Sequence, residues 1–271
     1  MNHAWLIIAH NEFDILQRLV SLLDNERSDF FIHIDKKVTY LPTIIAEKGQ
    51  LFILDHRVDV RWGSVSQIET ELVLLEAALQ HGPHAHYHIL SGTHLPLKPI
   101  DELLAFYDSH DGEEIMHFWA DDPGDADFKL RRYHFPLGHY KYGSLTQQRC
   151  CQLAWQCVIK VQKVLRIRHY IHDRFVKTDN WLSLTELACR HLVDNKDRIL
   201  KQYRWSFCGD EYFVASELII HPNRFYLFDC HNLLFVEFDH DSPKVIAVAD
   251  YPRIQETGYL WARKFTGNYA R

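Results

Sequence analysis

The residues best suited to chemistry lie late in the chain, in Trp205-Ser206-Phe207-Cys208-Gly209-Asp210-Glu211-Tyr212-Phe213. A small residue and a glycine precede two adjacent carboxylates, and an apolar run with helical spacing follows. That order sets an acid at the first turn of a helix, where the N-terminal dipole favours its ionised form. Glu211 is therefore a candidate general base and Asp210 a candidate cap. Ordinary first-turn acids are the plainer alternative. Two cationic segments near the C-terminus, Ser242-Pro243-Lys244 and Trp261-Ala262-Arg263-Lys264-Phe265, suit the neutralisation of an anionic leaving group. At an effective dielectric near 20, one charge contact at about 4 Å is worth roughly 4 kcal/mol. A Lys/Arg pair ending a helix is the plain reading of the second segment.

Three acidic groups come close to a D-x-D metal clamp: Asp121-Asp122, Asp125-Ala126-Asp127 and Asp239-His240-Asp241. A clamp belongs directly after a core strand, and that place is taken by Ser91-Gly92-Thr93-His94, so all three are read as loop acids. His81, His84, His86 and His88 are dense, with His86 and His88 pointing to one face of a strand. They lack a Cys or carboxylate of fitting spacing, so they are read as surface histidines and no metal is expected. No G-x-G-x-x-G, Walker loop, G-x-S-x-G elbow or His-Glu-x-x-His helix occurs, which leaves dinucleotide, P-loop, serine-hydrolase and zincin chemistry unsupported.

The elements that must position these groups alternate in the first half. Trp5–Ala9, Phe30–Ile34, Leu51–Leu54, Tyr87–Leu90 and Glu114–Trp119 read as strands. Phe13–Leu23, a short helix from Pro42, Ile68–Leu79 and Ile100–Ser109 read as helices. Repeated β-α units imply an α/β fold with a mostly parallel sheet, helices on both faces and ligands beyond the carboxyl ends of the strands. His10, Asp35 and the Ser91 loop should then meet at one mouth. Ala120–Asp127 reads as a polar break. Thr146–Leu165 is a long helix with an apolar stripe of Cys150, Leu153, Ala154, Cys157, Val161 and Val164. Lys160, Lys163, Arg166, Arg168 and Arg174 follow as a basic cluster, either a solvated face or a contact for anionic lipid. The remainder mixes strands near Trp181–Leu184 and Leu233–Phe238 with helices near Glu186–Asn195 and Asp210–Ile219. The expectation is one domain, 1–271, with a β-α half over 1–119 and a more irregular half over 120–271.

Composition narrows the class. With 47% hydrophobic and 24% charged residues, the 271-residue chain suits a globular core rather than disorder. A formal charge of −6 argues against general nucleic-acid binding. No run of about 18 apolar residues occurs and no signal-peptide pattern opens the chain. Six cysteines without a C-x-x-C pair suit neutral thiols in a reducing cytoplasm.

In order, Ile7-Ile8-Ala9-His10-Asn11, Ile32-His33-Ile34-Asp35-Lys36-Lys37, Arg57 with Val60-Arg61-Trp62-Gly63, His88-Ile89-Leu90-Ser91-Gly92-Thr93-His94-Leu95-Pro96-Leu97-Lys98, Asn180-Trp181-Leu182-Ser183-Leu184, Asp210-Glu211-Tyr212-Phe213 and Ala262-Arg263-Lys264-Phe265 cover nearly the whole chain. This ordered set resembles glycosyltransferase family 14, the core-2/I-branching β-1,6-N-acetylglucosaminyltransferases and peptide O-xylosyltransferases. The resemblance implies a GT-A-type fold and an inverting, metal-independent transfer, without a cofactor, from a UDP-sugar to a glycan or lipid-linked glycan hydroxyl. N-acetylglucosamine is the first expectation for the sugar. It places Ala9, His10, Asn11, Asp35, Lys36, Arg57 and Trp62 at the nucleotide, and Arg263 and Lys264 at the diphosphate with Ser242 or Lys244 nearby. Glu211 falls at the base, and Ser91, Gly92, His94, Asn180 and Trp181 border donor sugar and acceptor. The family's Ser-Gly loop usually carries Asp where this chain has His94. Xylosyl-type members carry an acid where this chain has Asn180, and asparagine cannot accept a proton from a hydroxyl. Lacking the animal-type anchor and luminal disulfides, the chain reads as a bacterial, cytoplasmic member working in surface polysaccharide synthesis, with peripheral membrane contact through Lys160–Arg174. The rivals are a catalytically silent nucleotide- or carbohydrate-binding module and a His-rich metallohydrolase.

Overall fold

The computed structural model describes residues 1–267 except 121, 172, 173, 222, 240 and 241. The acids Asp121 and Asp241 and the intervening His240 thus lie outside the described residues. Strand β1 (His3–Ala9) leads to helix α1 (Phe13–Leu23), β2 (Ser28–Ile34), β3 (Gln50–Ile53), α2 (Ser66–Gln80) and β4 (Tyr87–Ser91). There follow β5 (Leu95–Pro96), α3 (Ile100–Ser109), β6 (Glu113–Met116), α4 (Pro123–Leu130), α5 (Leu145–Leu165) and β7 (Ser183–Leu184). The chain closes through α6 (Glu186–Asp194), α7 (Lys196–Tyr203), a 3-10 turn at Gly209–Glu211, α8 (Phe213–Ile219), β8 (Tyr226–Asp229), β9 (Leu234–Val236), β10 (Phe238–Asp239), β11 (Ser242–Pro243), α9 (Tyr251–Gln255) and β12 (Trp261–Arg263).

Seven strands form one sheet in the order β3-β2-β1-β4-β7-β6-β8, parallel except for β7. This is the mixed α/β, mostly parallel sheet that the repeated β-α units imply. The alternation of β1 explains the two-sided core. Trp5, Ile7 and Ala9 face α1, α3 and β12, whereas Ala4 and Leu6 face α2, α6 and α8. The chain moves outward from β1 through β2 to β3, then returns across α2 to place β4 on the other side of β1. That reversal opens a crevice beyond the ends of β1 and β4. Register brings the predicted groups to it: Ala9 pairs with Ile34 and Ile8 with Ser91, so His10, Asp35 and the Ser91 loop emerge side by side.

A second, three-stranded sheet, β5-β12-β9, carries the C-terminal cations back to this mouth. Trp261 pairs with Pro96, and the Phe265 amide donates to the Thr93 carbonyl at 3.1 Å. Arg263 therefore ends a strand, not a helix.

Several expectations are corrected. No helix begins at Pro42. Pro123–Leu130 is a helix rather than a break, because Asp122 accepts from the Gly124 and Asp125 amides and Pro123 sits at the first helical position. Asp125 and Asp127 are consequently helical, not loop, acids. Asp125 meets Lys129 and Lys177, and Asp127 meets Arg132 and Arg168. His84, His86 and His88 are buried, not superficial. His84 Nε2 meets Asp29 at 3.0 Å, and His88 lies between the Trp5 and Tyr107 rings with Nδ1 2.7 Å from Ser183 Oγ. Burial holds the His88 imidazole well below its ordinary range, so it serves as a neutral core ring. All six cysteines are free, with Cys150 and Cys157 exposed.

Candidate active site

Two adjoining cavities occupy the mouth. The first, about 180 Å³, is lined by Ala9 and His10 from the end of β1, Asp35 after β2, Ser91 of β4, Gln67, Thr70 and Glu71 of α2, and Trp62, Asn180, Trp181 and Arg263. His10 and Asp35 also border an open depression of about 520 Å³ with Phe13, Val38 and Tyr40. Asp35 is held in place: its Oδ1 accepts from the Lys37 amide at 2.8 Å and its Oδ2 from Lys37 Nζ at 2.7 Å. Arg57 braces the same turn by donating to the Ile34 and Asp35 carbonyls at 2.9 and 2.7 Å. The His10 imidazole is pushed down by burial, partly countered by Asp35 and reinforced by Lys264, Lys37 and Arg263. Cationic charge thus converges on this pocket.

Arg263 stands between the two cavities and lines both. Its guanidinium lies 4.9 Å over the Trp181 ring, and its Nε is buried without a hydrogen-bond partner among the described residues. Burial lowers its pKa from the usual arginine range to about 10, with Asp179 opposing. A largely desolvated cation with an unused donor is suited to receive an anion.

The second cavity, about 650 Å³, contains Glu211. This residue ends the 3-10 turn ahead of α8, rather than opening the α-helix itself. Its Oε2 is 2.7 Å from Lys129 Nζ and 3.6 Å from Lys177 Nζ. Both lysines also reach Asp125 Oδ2, at 3.1 and 2.9 Å, and Tyr212 donates its hydroxyl to the same oxygen at 2.6 Å. Burial lowers and Glu211 raises the Lys129 pKa, with a net rise. This lattice fixes the Glu211 carboxylate while leaving it partly open to the cavity.

Asp210 does not cap α8. Its buried Oδ2 accepts from Gln67 Nε2 at 2.6 Å and from Asn180 Nδ2, and its Oδ1 has no partner among the described residues. Burial, then the Glu211 charge, raises its pKa from 3.8 to about 7. Glu71 is also buried, with Oε2 unpartnered and its pKa pushed well up by burial and by Asp210. Asn180 thus ties the loop that bears Trp181 to the acid beside Glu211.

The remaining predicted positions divide. Gly92 packs where an added Cβ would approach Ala9 Cβ to 2.9 Å, which keeps the Ser91 loop against β1. His94 is fully buried: its Nδ1 accepts from the Ser91 amide at 3.0 Å, and its ring meets Trp181 edge-on at 4.8 Å. It lines neither cavity and reaches the site only through Trp181. The buried Oδ1 of Asn11 has no partner among the described residues. Lys36, Ser242 and Lys244 are exposed and line neither cavity. Lys264 lies close enough to act on His10. Sequence reasoning missed Gln67, Glu71, Lys129 and Lys177. The available signal for Glu71 was its spacing, three residues after Ile68 and four before Leu75, which sets it on the inward face of α2. Apart from these cavities, His117, Asp229 and His231 bring ligand atoms within 4.8 Å of one another at the ends of β6 and β8, a set able to hold a metal ion.

A search of curated proteins found no match. The family model for the Core-2/I-Branching enzyme, Branch, matches residues 3–221, a span that includes the Ser91 loop, Trp181 and Glu211. The chain therefore belongs to the Core-2/I-Branching enzyme family and is a glycosyltransferase, moving a sugar from a nucleotide-sugar donor to a glycan acceptor.

Proposed function

We propose that this chain is an inverting, GT-A-type glycosyltransferase that moves N-acetylglucosamine from a UDP-sugar to a hydroxyl of a glycan acceptor without a metal ion. The observation that carries this reading is Arg263, a half-buried guanidinium whose Nε has no hydrogen-bond partner among the described residues, set between the His10–Asp35 pocket and the cavity of Glu211. In the proposed reaction the acceptor oxygen attacks C1 of the donor sugar as its proton passes to Glu211. The bond from C1 to the phosphate oxygen breaks, and the electron pair leaves with UDP. Arg263 and Lys264 stabilise the charge that grows on the diphosphate. His10, Asp35 and Trp62 border the space for the nucleotide, while Trp181 and Asn180 stand between donor sugar and acceptor. The cell context in this reading is the bacterial cytoplasm and the synthesis of surface polysaccharide.

A thermal-shift screen of nucleotide sugars, with and without EDTA, tests donor and metal together. Stabilisation by UDP-N-acetylglucosamine that survives EDTA is expected. Stabilisation that requires a divalent cation would overturn the metal-free reading. A catalytically silent binding module is the second reading, favoured by the ion pair between Glu211 and Lys129. Donor binding without transfer or donor hydrolysis across many acceptors would select it.

A further inference from the structure

The long helix α5 is mounted the wrong way round for a core helix. Its inward contacts come from Cys151, Ile159, Gln162 and Trp155, and the Gln162 amide clamps the Tyr133 backbone through two bonds of 2.8 Å. The apolar stripe of Cys150, Leu153, Ala154, Cys157, Val161 and Val164 faces solvent instead. Leu153 is 62% exposed, Val164 80% and the adjoining Leu165 63%. Contiguous exposed apolar surface of this kind marks an interaction site. An open groove of about 460 Å³ runs alongside, walled by Tyr133, Phe135, Val158, Val161 and Ile167.

The charge around the stripe selects its partner. From 145 to 171 the chain contains Arg149, Lys160, Lys163, Arg166 and Arg168 and no Asp or Glu, although the whole chain carries −6. Only Arg168 of these five has a carboxylate partner among the described residues, Asp127 at 3.2 Å. A second copy of the chain seated on this face would bring the same cations against one another. A bilayer bearing anionic phospholipid answers both features, with headgroup phosphates for the cations and the acyl boundary for the stripe.

We propose that α5 is a membrane-docking helix that lies in the surface of an anionic bilayer, with Leu153, Val161, Val164 and Leu165 inserted and the lysines and arginines on the headgroups. The inward side of the same helix meets the active site. Trp155 packs on Tyr140 and Phe207 at ring distances of 5.3 and 5.5 Å, and both of those rings line the Glu211 cavity. Docking therefore holds the catalytic mouth beside the membrane, where a lipid-linked glycan acceptor resides. That last step rests on the proposed acceptor class, whereas the docking does not.

The test is co-sedimentation of the full chain, without any sugar donor, with vesicles of phosphatidylcholine alone or with 30% phosphatidylglycerol added. Each cation near an anionic surface strengthens partitioning on the order of fivefold, so binding should require phosphatidylglycerol and weaken at least tenfold at high salt. Val161→Glu with Val164→Glu, both at exposed positions, should abolish sedimentation while leaving thermal stability and UDP binding unchanged. Lys160→Glu with Lys163→Glu should do the same. No binding to anionic vesicles, or equal binding by the variants, overturns the proposal. A dimer in analytical ultracentrifugation that Val164→Glu dissolves, without vesicle binding, assigns the stripe to a second copy and overturns it too.

Discussion

Arg263→Met gives the sharpest test, because it should move binding and stability in opposite directions. Methionine keeps much of the length and apolar stem while deleting the guanidinium. If Arg263 receives the diphosphate, the variant loses charge-assisted hydrogen bonds and a Coulomb contact, together about 2–4 kcal/mol. At about 1.4 kcal/mol per tenfold, UDP affinity should fall by roughly 30- to 700-fold. Stability should respond the other way. The fall from the usual arginine range to about 10 means that folding disfavours the charged form. Below the folded pKa both states carry the proton, so the cost is fully present at neutral pH and disappears only as the solution becomes strongly alkaline. At about 1.4 kcal/mol per pH unit it amounts to roughly 3 kcal/mol. Losing the stack on Trp181 returns about 1 kcal/mol, which leaves a net gain near 2 kcal/mol and a Tm higher by roughly 4–6 °C. Calorimetric titration with UDP and differential scanning fluorimetry read the two quantities. A variant that binds UDP within threefold of wild type, or that loses stability together with binding, would refute the reasoning.

Glu211→Gln should lower kcat by about 10²–10⁴, the usual worth of a general base, with UDP affinity changed less than threefold. Radiolabelled transfer at wild-type rates would remove Glu211 from the chemistry. Lys264→Ala should weaken UDP binding by roughly tenfold, the equivalent of one solvent-screened charge contact, and unchanged calorimetry would count against its diphosphate role. Asp210 titrates near 7 instead of 3.8 because burial and the Glu211 charge disfavour its carboxylate, so the folded chain holds a proton that the unfolded chain releases. Stability should therefore fall as pH rises from about 4 to 7, and Asp210→Asn should flatten that fall by up to ~4 kcal/mol. Urea denaturation at pH 5 and pH 8 measures it, and parallel behaviour of wild type and variant would sink the argument.

The half of the fold that was legible in the sequence owes this to strands buried on both faces. β1 and β2 read as continuous apolar runs because helices cover each side of a parallel sheet. Their ends named His10 and Asp35 without any motif. The second half was less legible for identifiable reasons. β12 is three residues long, too short for a period, and its place depends on pairing with β5 some 165 positions earlier. Helix α4 was hidden because Asp122-Pro123-Gly124-Asp125 has the composition of a loop, although a capping Asp followed by Pro is also a helix start. In α5 the period was legible, and it carried no orientation. Spacing shows that a face is apolar, while only the surrounding chain decides whether that face turns inward. His84, His86 and His88, expected at the surface, are buried, and for His88 stacking with Trp5 and Tyr107 makes a neutral imidazole as suitable for a core as another aromatic ring.

The unsatisfied polar atoms give the site its logic. Among the described residues, the buried side-chain atoms without a partner that do not belong to histidine are Asn11 Oδ1, Glu71 Oε2, Asp210 Oδ1 and Arg263 Nε. Arg263 and Glu71 line the smaller cavity, Asp210 lines the larger one, and Asn11 follows directly on His10 at the end of β1. Each such atom costs on the order of 1–3 kcal/mol. Three of these four atoms belong to residues that border the two cavities, where a ligand's polar groups can meet them. Their signs are also sorted, with the cation at the junction of the cavities and the two acids, held toward their protonated forms by burial, deeper against α2 and the 3-10 turn. A ligand with an anionic linker and a hydroxyl-rich end would satisfy both sets at once. A sugar diphosphate has both features, whereas a neutral glycan lacks the anionic linker and would leave the cation unanswered.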